Sequence, residues 1–406
     1  MNSVSGTQEH RALSPARGPS PLDRASRTGR GRSFDLLVAL SAHVAIRLLG
    51  VAVLVVFGIA HKIPAHDRLV GWDSGWYRGI AAHGYGFSRV APDGRSLSDY
   101  AFFPLYPALE RLVSAITGLL LLDAGLVISA ISSIVAAWGI FAVGRHVCDA
   151  RTGVVLVAIW SALPIGIVES MAYTESLFTA LAAWALYSTL RDRFMLAGLL
   201  ATLAGLTRPF GLAVVLMVVL AALLRVLAHR IEETDGAEPS RPAVVPAMLG
   251  ALIAPLGLAG YLGWVGTRRE KILGYFDVTN GWGNHFDGGL AFLRWIADMF
   301  SGPGAVLGVL VCAGVALLAW TLGAAVRQRY PLSLFVYAAA MVLIALTTSG
   351  YFGSKPRYLL PAFPLLLPVA AYFARTRTAL LATGLAAFAV AGSVYGALWL
   401  YGAGPP

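Results

Sequence analysis

Apolar runs of about 18 or more residues recur from Phe34 almost to the C-terminus, long enough to cross a bilayer core as helices. Eleven spans are predicted, near 35–60, 123–144, 152–169, 173–190, 194–207, 210–228, 244–265, 304–325, 331–348, 358–374 and 378–400. With a cytoplasmic N-terminus, the inner loops hold Arg145 and Arg151, Arg191 and Arg193, Arg225, Arg230 and Arg241, Arg327 and Arg329, and Arg375 and Arg377. Each is short and carries at least two arginines, as the positive-inside rule asks. The outer side then receives loops 61–122, 169–173, 208–210, 266–303 and 349–357, which hold most polar residues without an obvious structural purpose. The 101–122 stretch alternates apolar and polar faces, so it is predicted to lie along the membrane surface. The expected fold is an all-α polytopic membrane protein, with one domain over 34–402 and a large first extracytoplasmic loop holding interfacial helices.

Composition agrees. Charged residues make up 13% of the chain, against about 25% in soluble proteins, and the mean hydropathy is +0.71. The net charge of +10 is unevenly spread. Residues 1–33 hold six arginines among Ser, Pro and Gly, a mixture unable to bury apolar surface and predicted to be a disordered cytoplasmic tail. That tail sets orientation; nucleic-acid binding is not indicated. Residues 230–242, with Glu232, Glu233, Asp235 and Pro242, read as a solvated cytoplasmic linker. Cys148 and Cys312 form neither a disulfide framework nor a metal site.

Candidate chemistry gathers in the outer segments. Trp72-Asp73-Ser74-Gly75-Trp76-Tyr77 sets a carboxylate among aromatic rings beside a bilayer. A charge near hydrocarbon costs free energy unless it binds or reacts, and Asp73 is a candidate general base. Rings such as Trp72 and Trp76 stack on sugars and also form interfacial belts. His83 and Tyr85 follow, able to orient the loop or an acceptor. Glu175, in Tyr173-Thr174-Glu175-Ser176, opens a helix where its dipole favours a carboxylate; it can also hold a sugar hydroxyl or an arginine. Arg208 sits where Pro209 and Gly211 break the apolar run, and needs an anionic partner such as Glu175 or a ligand phosphate. Lys355 and Arg357 would grip a phosphate, one as a point charge and one as a fork; the rival role is snorkelling to lipid headgroups. The polar, Gly-rich 266–303 loop, with Asn284 and His285, could bind an acceptor glycan. No two aspartates stand as Asp-x-Asp, and there is no Walker or dinucleotide glycine loop. The pattern favours a donor sugar on a lipid phosphate, with no cofactor and no metal required.

Trp72-Asp73, His83-Gly84-Tyr85, Ala101-Phe102-Phe103-Pro104-x-x-Pro107 and Tyr173-Thr174-Glu175-Ser176-Leu177-Phe178 together resemble the PIG-V family, the GPI mannosyltransferases that add the second mannose. The resemblance spans roughly residues 40–375 and is strongest in its first block, while Arg208 and Arg357-Tyr358 resemble the wider GT-C superfamily more loosely. It implies a GT-C bundle in the plasma membrane with an extracytoplasmic site. It further implies inverting transfer of mannose from polyprenyl-phosphate mannose to a lipid-linked or cell-envelope glycan, with Asp73 in the place of the family's loop-one aspartate. The arginine bias and Ala/Val/Leu-rich composition look like a bacterial member, which makes no GPI anchor. The acceptor is then a bacterial glycolipid, lipoglycan or secreted-protein glycan.

Another GT-C activity, such as protein O-mannosyl or pentosyl transfer, shares these features. A lipid or sugar transporter should show repeats with helices broken at matching positions. The sequence has one interrupted segment, 205–211, without a counterpart.

Overall fold

The computed structural model describes residues 21–234 and 244–402. Most of the expected tail (1–20) and linker (235–243) lie outside the described residues. The first helix, α1 (Pro21–His61), starts inside the segment expected to be a tail, with proline at its first position.

Loop one holds α2 (Ala65–Leu69), α3 (Ser74–His83), a hairpin of β1 (Ser88–Val90) and β2 (Ser96–Ser98), and α4 (Leu105–Thr117). The predicted surface stretch is thus a helix, with Tyr106, Pro107 and Glu110 on its buried face and Leu112 and Ile116 exposed. Next come α5 (Leu121–Val147), α6 (Ala150–Ala162), α7 (Glu175–Leu190), α8 (Phe194–Gly205), α9 (Gly211–Thr234), α10 (Val244–Ile253) and α11 (Leu256–Arg268). The 266–303 segment, expected as the second large outer loop, contains α12 (Gly274–Gly281) and α13 (Leu290–Phe300). The chain closes with α14 (Ala305–Arg327), α15 (Leu332–Thr347), the short α16 (Lys355–Leu359) and α17 (Leu367–Phe373), and α18 (Thr378–Tyr401).

Each of the eleven predicted spans is helical in whole or part, but only six described helical segments are long and apolar enough to cross a bilayer, or seven with one bent pair. Prolines explain much of the difference. Leu163 precedes Pro164 and is driven out of helical geometry (φ −53°, ψ 141°), so α6 ends and a 3-10 turn over Pro164–Ser170 leaves at 86°. Pro255 also divides the 244–265 span into α10 and α11, although residues 244–268 together still count among the six. The 358–374 segment, with Pro361, Pro364 and Pro368, breaks into α16, a 3-10 turn and α17.

Broken helices free carbonyls that hydrocarbon cannot hydrate. Side chains across the interfaces satisfy several: Trp160 donates to the Leu360 carbonyl at 3.1 Å, Tyr337 to Pro361 at 3.0 Å and Thr202 to Ile253 at 2.6 Å. Small residues then let backbones touch; a Cβ on Gly198 would sit 2.3 Å from the Gly250 oxygen. The main core, around Trp160, Phe178, Leu186, Tyr337 and Phe363, backs the broken segments and fixes the loops they carry.

Candidate active site

Asp73 sits just before α3, in a turn where Trp72 adopts φ +50°. A non-glycine residue there costs of order 1 kcal/mol. Contacts to the segment before α7 hold the turn: the Asp73 amide donates to the Tyr173 hydroxyl at 3.2 Å, and Ser74 Oγ to the Ala172 carbonyl at 3.0 Å. The Tyr77 and Thr174 hydroxyls meet at 3.4 Å. Residues a hundred positions apart therefore present their side chains together.

The side chains form a chain of alternating charge. Asp73 Oδ2 lies 3.0 Å from an Arg357 terminal nitrogen. Glu175 Oε1 lies 3.2 Å from Arg357 Nε and 3.1 Å from an Arg208 terminal nitrogen. The Asp73 contact is a true hydrogen bond, whereas the two nitrogens facing Glu175 are close but not aligned for one. Aromatic faces take up the remaining guanidinium surface: Arg357 lies 5.0 Å from the Tyr173 ring centre, and Arg208 lies over Phe178, Phe210 and Tyr358. Burial alone would lower the Arg357 pKa, but the Glu175 and Asp73 carboxylates outweigh it and hold the group above the ordinary arginine range. Glu175 is almost wholly enclosed, with its side chain 2% exposed, while that of Asp73 is 29% exposed.

Asp73, Arg208 and Arg357 line a cavity of about 890 Å³. Its walls include Tyr77, Phe102 and Tyr358, and across from one another the loops of α12 and α15 add Trp282, Asn284, His285 and Ser349. Ser349 Oγ meets His285 Nδ1 at 2.9 Å and takes the His285 amide, tying the two loops together. Arg95 joins from the hairpin, held by Asp93 at 2.7 Å and the Trp282 carbonyl at 3.0 Å.

Asp73, Tyr173, Glu175, Arg208 and Arg357 are thus brought together, and Asn284 and His285 line the same cavity, whereas Trp72, Trp76, His83, Tyr85 and Lys355 do not. Trp72 is half-buried beneath Arg68. Trp76 supports the lining by stacking on Phe102 and meeting Trp282 edge-on. Tyr85 stacks on Tyr100 and donates to the Phe102 carbonyl at 2.8 Å. His83 is exposed at the end of α3. Lys355 is buried and donates to the Thr348 carbonyl; desolvation lowers its pKa to about 8 despite nearby Asp287. Arg95 was missed in the sequence because a lone arginine in a polar hairpin carries no distinguishing pattern.

The fold is of the kind seen in polytopic GT-C membrane glycosyltransferases. The crystal structure of ArnT from Cupriavidus metallidurans bound to undecaprenyl phosphate shares the fold, with a TM-score of 0.51 at 16% identity over 85% of this chain. This chain spans 62% of the length of that ArnT chain. Apo ArnT from the same organism (16% identity, TM-score 0.49, 79% of this chain and 58% of that one) is also similar. So is the Archaeoglobus fulgidus oligosaccharyltransferase (14% identity, TM-score 0.48, 90% of this chain and 54% of that one). Residues 47–240, the segment that supplies Asp73, Glu175 and Arg208, match the family described as Mannosyltransferase (PIG-V). No curated protein sequence matches it.

Proposed function

We propose that the protein is an inverting mannosyltransferase that moves mannose from polyprenyl-phosphate mannose to a lipid-linked or cell-envelope glycan on the extracytoplasmic face. The observation that carries this reading is a cavity lined by Asp73, Arg357 and Arg208, with Asp73 paired to Arg357 at 3.0 Å. The undecaprenyl phosphate bound by ArnT adds support for a lipid-phosphate donor.

In this mechanism the donor phosphate enters against Arg357 and Arg208, and Arg357 turns its terminal nitrogens from Asp73 to the phosphate oxygens. Asp73 is then free to accept the proton of the acceptor hydroxyl. The acceptor oxygen bonds to the anomeric carbon from the face opposite the phosphate, so configuration inverts, as when a base activates water in an inverting glycosidase. The anomeric carbon–oxygen bond breaks with its electron pair passing to the phosphate. One proton moves to Asp73 and one negative charge to the phosphate, whose growing charge the two arginines stabilise. Such a preorganised donor is typically worth about 3 kcal/mol. Glu175 holds both guanidinium groups in place between the aromatic faces.

The test is transfer of labelled mannose from synthetic polyprenyl-phosphate mannose to host lipid extract in reconstituted membranes, with GDP-mannose as control donor. Product from the lipid donor that disappears in folded Asp73→Asn is expected. Undiminished turnover by that variant would remove Asp73 as base. Transfer of another sugar would assign a different GT-C activity.

A further inference from the structure

Behind α3 lies a carboxyl group that the proposed mechanism does not use. Glu110, on the inner face of α4, is fully enclosed, and neither carboxyl oxygen has a hydrogen-bond partner among the described residues. It rests on the backbone of α5: a Cβ on Gly125 would lie 2.6 Å from Glu110 Oε1, 3.0 Å from the Ala172 Cβ and 3.3 Å from the Tyr106 hydroxyl. An ion in such a place has lost its water and gained nothing in return.

Its surroundings lead to the candidate active site by two routes. The Tyr106 hydroxyl contacts the Gly125 carbonyl at 2.8 Å and Ser129 Oγ at 2.9 Å; Ser129 donates to the Tyr173 carbonyl, and the Tyr173 hydroxyl receives the Asp73 amide. The Tyr106 ring also lies 5.1 Å from that of Tyr77, a cavity-lining residue on α3.

We propose that Glu110 is a positioning residue that works only while protonated: the neutral carboxyl lets α4 seat on α5, and its ionisation unseats α4 and the α3 turn that carries Asp73. The titratable group that meets it is Tyr106 on its own helix, which Tyr77 on α3 and Glu175 on α7 approach in turn; Asp123 of α5 is turned toward His66 at 2.8 Å. None offsets the loss of water, and desolvation moves the Glu110 pKa from 4.5 to about 8. Because the folded state holds a proton that the unfolded chain releases, stability falls as pH rises from 4.5 to about 8 and levels off above. Above about 8 the folded protein itself ionises and loses its seating.

Only the catalytic half of this proposal rests on the assigned transferase reaction, so the experiment has two arms. Thermal unfolding of the full chain in detergent is followed from about pH 5 to 9 for wild type, Glu110→Gln and Glu110→Leu, alongside kcat for mannose transfer. The wild-type Tm is expected to fall toward pH 8 and flatten, with that component missing from both variants. Wild-type kcat is expected to drop about tenfold per pH unit above 8, and Glu110→Gln to lack that limb. Comparison with the Gln variant separates Glu110 from Lys355, which titrates in the same range. Matching Tm profiles in wild type and Gln variant overturn the proposal, as does a folded Gln variant inactive at every pH beside an active wild type. If the Tm arm behaves as expected while wild type transfers no mannose, the assigned reaction falls and the seating role of Glu110 stands.

Discussion

Arg357 spans two carboxylates at once, with a terminal nitrogen 3.0 Å from Asp73 Oδ2 and its Nε 3.2 Å from Glu175 Oε1. Only a planar fork reaches both without strain; a lysine ammonium is a single point on a flexible stem. Arg357→Lys should therefore keep the positive charge but lower kcat by about 10²-fold, the scale of losing one preorganised donor. A turnover assay with saturating lipid donor reads this directly, and wild-type kcat in the Lys variant would show that charge alone suffices.

Glu175 holds two buried guanidinium groups, so its neutralisation should cost stability more than activity alone predicts. Removing one member of a buried ionic set typically costs about 3–5 kcal/mol, because the remaining charges lose compensation. Glu175→Gln should lower the unfolding temperature markedly. Adding Arg208→Met, which removes one stranded cation, should recover part of the loss. A double-mutant cycle measures the coupling, and simple additivity of the two substitutions would contradict the alternating-charge chain.

Much of this site was legible in the sequence, for definite physical reasons. Asp73, Glu175, Arg208 and Arg357 are charged residues at the ends of apolar segments, where hydrocarbon makes any unneeded charge costly. That signal survives without knowledge of the fold. Aromatic and basic neighbours carry no such signal, because Trp76, Tyr85 and Lys355 serve packing, a backbone carbonyl and a loop tie with the same chemistry that would bind a sugar or phosphate. Span existence was readable from hydropathy, whereas the break at Pro164 and those in the proline-rich 358–374 segment shortened helices within runs that stay apolar throughout. Glu110 escaped notice because a carboxylate on an amphipathic helix reads as part of its polar face, and its burial against Gly125 of α5 shows only in the fold.

Backbone contact between α8 and α11 makes Gly257 irreplaceable. A Cβ there would stand 1.9 Å from the Thr202 carbonyl oxygen, while one on Gly260, a turn further along α11, meets nothing within 4 Å. Gly257→Ala should push the helices apart and lower both the yield of folded protein and its Tm. Gly260→Ala should be neutral or slightly stabilising, since alanine is the better helix former. Equal unfolding temperatures for the two variants would contradict the packing described.

His66 of α2 meets Asp123 of α5 at 2.8 Å, and that hydrogen bond raises the histidine pKa above 6.5 against a smaller lowering by desolvation. The added stability is fully present below the ordinary histidine pKa and lost as pH rises through the raised one. Both side chains are substantially exposed, so the effect should be under about 1 kcal/mol and weaken in salt. His66→Gln should lower Tm at about pH 6, with the deficit shrinking as pH rises; a deficit constant with pH would assign the contact to packing.

The contact between Asp73 and Arg357 also sets an order of binding under the proposed mechanism. While Arg357 occupies Asp73 Oδ2, that oxygen is committed to an ion pair and is a poor proton acceptor for an incoming hydroxyl. A donor phosphate offers Arg357 a better anion, and its arrival frees the carboxylate at the moment the sugar is in place. Water entering alone would find Asp73 still paired, which suppresses wasteful hydrolysis only until donor binds, so acceptor must follow donor closely. The acceptor should accordingly bind more tightly when polyprenyl phosphate, the leaving product, already fills the cation site. A glycolipid acceptor titrated into the reconstituted protein, with and without polyprenyl phosphate, measures this coupling, and Arg357→Gln should abolish it by leaving Asp73 free throughout. Equal acceptor affinity in both conditions for wild type would mean that the pair does not gate the site.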